Sequence, residues 1–405
     1  MTRPSSSPVS PARILFVLGL GTAFSLLGDA TLYAVLPTHT ADAGITLGMV
    51  GILLGINRAT RLISNGVAGW CYDRLPQRRL FLLGLSIGAF STWCYAVAPG
   101  FWILCLGRIF WGTAWSLIWV GGGTIILNIT QESERGRWTG FYQTWFFLGI
   151  GVGAFVGGLF TDLVGYRATL WIAAGIQAVG AGIVCAALPP IPRTVEAHAS
   201  SMPRKSFKAL LSREFGVTIL CQGVNRFCIS GVLYATLGLL VKERIASPGM
   251  PVGAATLTGL LIAARTVVSM STAPLAGHVS DRLGSRWRVI SAALFIGILA
   301  MLLLTVSSPL LIILGVIFSS VITSAIQSLT ITLTGDLVAA AHRGKAMSLL
   351  HTLGDLGSAL GPPWAYALLI YVGLPGIYGG CAGILALGLG LLLIVRKPAP
   401  TSLPR

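Results

Sequence analysis

Acidic residues are scarce in this chain. Its 405 residues include 12 Asp and Glu against 28 Lys and Arg, and charged residues of both signs make up only 10% of it. Ordinary soluble domains carry about 25%, so a water-soluble enzyme or binding domain is excluded as its main body. The seven cysteines (Cys71, Cys94, Cys105, Cys185, Cys221, Cys228 and Cys381) form no C-x-x-C pair and fall in or beside apolar runs. That pattern supports neither a disulfide framework nor a metal site and makes them packing residues. There is no G-x-x-x-x-G-K-[ST] loop and no H-E-x-x-H, hence no foothold for ATP-driven work or metal-dependent hydrolysis. No cofactor is called for. No catalytic constellation gathers at one interface, so an enzyme is not expected. The first apolar run is too long for a signal peptide and lacks a convincing cleavage site.

What the chain has in abundance is apolar length. Hydrophobic residues make up 54%, and runs long enough to cross a hydrocarbon core of about 30 Å recur throughout. They fall at 14–37, 45–71, 80–98, 101–128, 138–164 and 168–188, then at 215–241, 254–280, 288–307, 309–334, 345–371 and 374–395. Backbone groups in lipid must be satisfied within the segment, so each run is expected to be a helix. Of the 28 Lys and Arg, twenty lie in the two tails and the loops on the same side as the tails, and only Arg167, Lys242 and Arg244 lie on the other. This bias places both termini in the cytoplasm of a multi-pass cytoplasmic (inner) membrane protein. The net charge of +16 is then mainly a topology signal. Spread over short loops, it does not make a nucleic-acid surface.

A repeat divides the chain. Gly69-Trp-Cys-Tyr-Asp73-Arg74-Leu75-Pro-Gln-Arg78-Arg79 recurs 208 positions later as Gly277-His-Val-Ser-Asp281-Arg282-Leu283-Gly-Ser-Arg286-Trp-Arg288. The same offset aligns Arg135-Gly136-Arg137 with Arg343-Gly344-Lys345, and Gly149 and Gly153 with Gly357 and Gly361. With Gly107-Arg-Ile109-Phe110 aligned likewise to Gly315-Val-Ile317-Phe318, five separated matches at one offset indicate duplication of a six-helix membrane unit. The expected divisions are a disordered tail 1–13, a bundle 14–188, a Pro- and Ser-containing linker 189–213, a bundle 214–396 and a tail 397–405. The linker has room for a short surface helix near 207–211.

Twelve helices in two halves, with G-x-x-x-D-R-x-x-x-R after the second and eighth, resemble the major facilitator superfamily of secondary transporters. The resemblance implies an all-α fold of two pseudo-symmetric six-helix bundles, a monomer as the functional form, and a small solute moved through the bilayer. It also implies that Gly69, Asp73 and Arg74, with Gly277, Asp281 and Arg282, form a gate motif in which the aspartate latches onto another helix's positive N-terminus. Pro76, His278 and Val279 depart mildly from the usual pattern.

Charges inside the segments carry the functional information, because each is costly in lipid and must face a cavity or a partner. Asp29 lies about 15 residues into the first segment and Arg108 about seven into the fourth, which at about 1.5 Å per residue puts them at one depth. In the family resembled, these helices line the central cavity. Arg108-x-x-x-Gly112 also resembles a motif of proton-coupled members. Asp29 and Arg108 are therefore expected to couple a proton, since a removable cation shifts a carboxylate's proton affinity. Arg58 and Arg61 on the second segment, Arg226 on the seventh and Arg265 on the eighth are candidate solute contacts, with Tyr33 and Trp115 beside them. His351 and Asp355, four apart on one helical face, are candidates for a proton relay. Five arginines against two acids leave an excess of +3, which an anionic solute would offset.

A second transporter reading stays open. Gly149-Ile-Gly151-Val-Gly153-Ala154-Phe-Val-Gly157-Gly158 resembles the antiporter motif of multidrug exporters, although Ala154 stands where that motif has proline. Tyr33, Trp111, Trp115, Trp119, Tyr142 and Trp145 would suit flat apolar compounds.

Overall fold

The structure is a computed structural model and describes residues 11–131, 134–191, 212–247, 250–338 and 343–395. The described residues form helices joined by short turns, and no strand occurs among them. In chain order these are α1 (Pro11–Val35), α2 (Leu47–Arg74), α3 (Gln77–Val97), α4 (Phe101–Ile129), α5 (Arg135–Val164) and α6 (Tyr166–Ala187). They are followed by α7 (Arg213–Arg244), α8 (Ala254–Arg282), α9 (Arg286–Leu303) and α10 (Pro309–Leu337). The last helical stretch, Arg343–Val395, is broken at Gly373, whose φ of 62° and ψ of 180° are not helical. It is treated as α11 (343–372) and α12 (374–395).

Ten of these stretches are long and apolar enough to cross a membrane. One of the ten is the broken 51-residue stretch Lys345–Val395, which comprises two helices. The 28-residue α2 is not among them, because Asn57, Arg58, Arg61 and Asn65 dilute its apolar face. Its polarity is concentrated where the candidate site lies. Observed boundaries fall within four residues of the expected segments. The first helix is already formed at Pro11, the first described residue, ahead of the expected start at 14. The remainder of both tails, and the surface helix expected near 207–211, lie outside the described residues.

Local chemistry ends the helices where the sequence changes. Leu75 and Pro76 take extended conformations between α2 and α3. Ser212 caps α7 by accepting from the Phe215 amide at 3.1 Å. Gly165 (φ 89°) makes the turn from α5 to α6, and Gly284 (φ 60°) the turn from α8 to α9, a conformation costly for any other residue. Inside α7 the backbone is π-helical from Arg226 to Leu233.

Two compact units result. The first comprises Met1–His198 and Leu237–Ala263, the second Ala199–Thr236 and Ala264–Arg405. The division therefore does not fall only at the linker, since the adjoining ends of α7 and α8 belong with the first unit. In that unit α1 lies along α5, α4 lies along α2 and α3, and α3 meets α6. Gly149 and Gly153 let α5 approach the backbone of α1 at Ala23 and Leu27. Tyr142 and Thr22 join these helices through hydroxyls 2.8 Å apart. Gln177 ties α6 inward by accepting from Thr92 at 2.9 Å and donating to the Ser25 carbonyl at 3.1 Å.

At the far end of α5 the packing is closer still. A β-carbon at Gly158 would overlap the Ala255 carbonyl of α8, and one at Gly259 would overlap the Ala154 carbonyl of α5. Asp162 then accepts from the Thr256 amide at 2.8 Å and the Thr256 hydroxyl at 2.6 Å, which caps the start of α8. In the second unit α11 lies on α7 through Gly357 and Gly361, opposite Gly223, Phe227 and Gly231. The repeated glycines thus do the same work twice, α5 on α1 and α11 on α7. Thr236 and Tyr378 join hydroxyls at 2.8 Å, and Tyr366 donates to the Ala235 carbonyl at 2.8 Å.

Candidate functional site

In the first unit the expected pair is made. Arg108 Nη1 donates to Asp29 Oδ1, with Arg108 at 0% side-chain exposure and Asp29 at 16%. The arginine is held from several sides. Its Nε donates to the Leu53 carbonyl of α2 at 2.9 Å, and its Nη1 reaches the Tyr95 hydroxyl of α3 at 3.5 Å. The guanidinium carbon lies 5.2 Å from the Tyr33 ring centre and 5.9 Å from that of Tyr95. A carbonyl, a carboxylate and two ring faces replace the water that a buried cation loses.

Tyr33 links this pair to the arginines of α2. Its hydroxyl donates to the Leu54 carbonyl at 3.0 Å and accepts from Arg58 Nε at 3.2 Å. Arg58 also lies over the Tyr33 ring at 5.7 Å. Arg61, half-buried, is level with Gly112 to Ser116 of α4. That level is set by Gly112, which abuts the Asn57 carbonyl and Thr60, and by Ser64 and Ser116, whose hydroxyls are 2.7 Å apart. Trp115 stands beside this seam. Asp29, Tyr33, Arg58, Arg61, Arg108 and Trp115 are thus assembled within one unit.

The second unit gathers a different set. Arg226 lies at the start of the π-helical segment of α7, with its stem against Gly354 of α11. His351 has Arg226 and Asp355 as charged neighbours. Arg265 of α8 is buried over the Tyr234 ring at 6.0 Å, apart from the His351 group in the contacts it makes. Two residues absent from the expectations stand beside Arg226. Gln222 accepts from Thr330 of α10 at 3.4 Å, and Asn225 is fully buried. Neutral amides give no charge signal in an apolar run, so only their neighbours make them visible. Tyr95, recruited from α3 to Arg108, escapes sequence reading for the same reason.

The doubled motif is at the surface in both copies. Asp73, Arg74, Asp281 and Arg282 are exposed, and Arg74 folds back over the Trp70 ring at 4.5 Å. A β-carbon at Gly69 or Gly277 would meet nothing within 4 Å. The copies differ in what the later arginine does. Arg78 donates to the Cys185 carbonyl of α6 and to the Leu188 carbonyl just beyond its end, both at 2.7 Å. Its counterpart Arg286 pairs with Asp336 of α10 at 2.5 Å, where the first half has Asn128 at the same offset. No cluster of metal-ligating side chains occurs among the described residues.

Charged side chains enclosed in a duplicated bundle of membrane-length helices define a polytopic transporter rather than an enzyme. Residues 18–244 and 215–405 match the Major Facilitator Superfamily, and the chain belongs to it. An uncharacterized MFS-type transporter of Methanocaldococcus jannaschii is 23% identical over 94% of this chain and 97% of its own length. The quinolone resistance protein NorA of Staphylococcus aureus is 25% identical over 35% of this chain, which spans only 38% of that protein. Among solved structures, the nucleoside transporter NupG superposes with a TM-score of 0.78 at 14% identity, over 95% of this chain and all of that one. At that identity the likeness is one of fold.

Proposed function

We propose that the chain is a proton-coupled secondary transporter that moves a small organic solute of anionic character across a cell membrane by alternating access, as a monomer. The observation that carries this reading is the Asp29–Arg108 pair. Its acid keeps some access while its base has none, so a proton from the aqueous side meets Asp29 first. Once Asp29 is neutral, Arg108 keeps the Leu53 carbonyl and two ring faces, which lowers the cost of leaving the cation without its carboxylate. The proton therefore changes the net charge of the site without dismantling it. Arg58, Arg61, Arg226 and Arg265 favour a carboxylate or phosphate on the solute, and His351 with Asp355 offers a second proton position.

The test has two stages. Purified protein is heated with benzoate, inorganic phosphate, a neutral amide and tetraphenylphosphonium, since a ligand of the folded state raises apparent stability with its concentration. The expected outcome is stabilisation by an anion that is lost in Arg58→Ala or Arg226→Ala. In proteoliposomes, Asp29→Asn is then expected to abolish accumulation of that anion under a pH gradient while leaving its exchange intact. Full accumulation by Asp29→Asn removes Asp29 from the coupling.

Multidrug efflux remains the second reading, favoured by the partial similarity to NorA and by the aromatic side chains of α4 and α5. Stabilisation by tetraphenylphosphonium alone would select it. The glycine run of α5 does not discriminate, because Gly149, Gly153, Gly157 and Gly158 are all occupied in packing on α1 and α8.

A further inference from the structure

The backbones of α4 and α5 pack chiefly on other helices, α4 on α2 and α3, α5 on α1. What spans the gap between them is a set of rings. Trp115 and Trp119, one turn apart on α4, stack with centres 5.4 Å apart and planes 20° apart. Phe146 of α5 closes the other side, 5.6 Å from Trp115 and 5.0 Å from Trp119. Trp111 extends the row above, 5.8 Å from Trp115, and Tyr142 extends it below, 5.8 Å from Trp119.

These rings are not lipid anchors. Trp102, at the start of the same helix, is 80% exposed, whereas Trp115 is 7% exposed. They are not a sealed core either, because Trp119 and Phe146 are only half-buried. The row begins at the level of Arg61, fixed by the Ser64–Ser116 contact. Arg61 thus lies at the level of a stacked Trp115–Trp119 pair with Phe146 tilted against it, an arrangement suited to a ligand that is flat at one end and negative at the other.

We propose that the transported solute is an aromatic carboxylate, or an equivalent planar aromatic anion, whose ring lies against Trp115, Trp119 and Phe146 while its charge faces Arg61. This rests on the anionic-solute reading above and narrows it. The ring seat sets preference for flat over puckered solutes, and the arginine sets preference by charge.

Three ligands of similar size separate these contributions: 2-naphthoate, its saturated decahydro analogue and 2-naphthylmethylammonium, titrated calorimetrically into the purified full-length protein. The unaltered protein is expected to bind 2-naphthoate about tenfold more tightly than the saturated acid, the upper part of what one aromatic contact supplies. In Trp115→Leu and Phe146→Leu that ratio is expected to fall to about twofold with the saturated acid's affinity unchanged, which also verifies folding. Trp115→Phe, which retains a ring, is expected to keep most of the preference. Equal binding of the two acids by the unaltered protein overturns the ring seat and leaves the anionic reading standing. Failure of both acids to bind overturns the anionic reading and this inference with it. Tightest binding of the ammonium compound, lost in Trp115→Leu, assigns the rings to a cationic drug and likewise overturns the proposal.

Discussion

Arg108 shows how a buried charge is made tolerable in this chain. Its carboxylate partner is only one of its contacts, beside the Leu53 carbonyl, the Tyr95 hydroxyl and the Tyr33 and Tyr95 rings. Removing it should cost more than removing Asp29. Arg108→Met leaves Asp29 unpaired in a low-dielectric site, at a cost of about 3–5 kcal/mol for a broken buried pair. Asp29→Asn leaves a caged cation that still has its carbonyl. Thermal unfolding of the two purified variants is expected to place Arg108→Met clearly lower, and equal midpoints would show that the cage does not compensate. Depth counting on the sequence brought Asp29 and Arg108 together because both carry charge in apolar runs. Tyr95, Gln222 and Asn225 were not legible, since tyrosines and neutral amides occur in such runs without marking a site.

At the scale of elements, glycine sets which helices approach and how closely. The repeat of Gly149 and Gly153 as Gly357 and Gly361 was visible as an offset in the sequence, and it became matched packing on α1 and α7. The α5–α8 junction was not visible. It depends on Asp162, an acid near the end of α5, and on Gly253, where a β-carbon would overlap the Asp162 carboxylate. A double-mutant cycle tests that assignment. Gly253→Ala should destabilise the protein, and it should do so by less in an Asp162→Ala background, because the clash is with the side chain already removed. Asp162→Ala alone should cost about 1 kcal/mol, as for other lost caps. Additive effects in the cycle would mean that Gly253 is required for its backbone rather than for the space it leaves.

For the molecule as a whole, hydropathy and the 208-residue repeat were enough to read a duplicated helical membrane protein, because lipid leaves the backbone few choices, and the doubled motif's resemblance to the major facilitator superfamily supplied the transporter. The first unit also includes residues 237–263, beyond the linker. A linker is recognised by composition, but membership of a unit is decided by close backbone packing at distant positions such as Gly158 and Gly259. Orientation rests on the Lys and Arg bias, and Cys185 at the end of α6 provides a direct check. It is the one exposed thiol among the described residues; Cys71 is half-buried and the others are buried. A membrane-impermeant maleimide is expected to label the unaltered protein at Cys185 in inside-out vesicles and not in right-side-out ones. The reverse pattern would invert the topology.

The π-helical stretch in α7 has a mechanical meaning. Residues 226–233 are wound more loosely than the helix on either side, and they end three residues before the point where α7 passes from one unit to the other. A wider turn holds spare chain. Tightening it to ordinary winding would swivel the lower part of α7, with Gln222 and Asn225, by about 100° for each residue taken up, without a proline or a broken rod. Such a stretch acts as slack in a line under load, and faster amide exchange at 226–233 than elsewhere in α7 would reveal it.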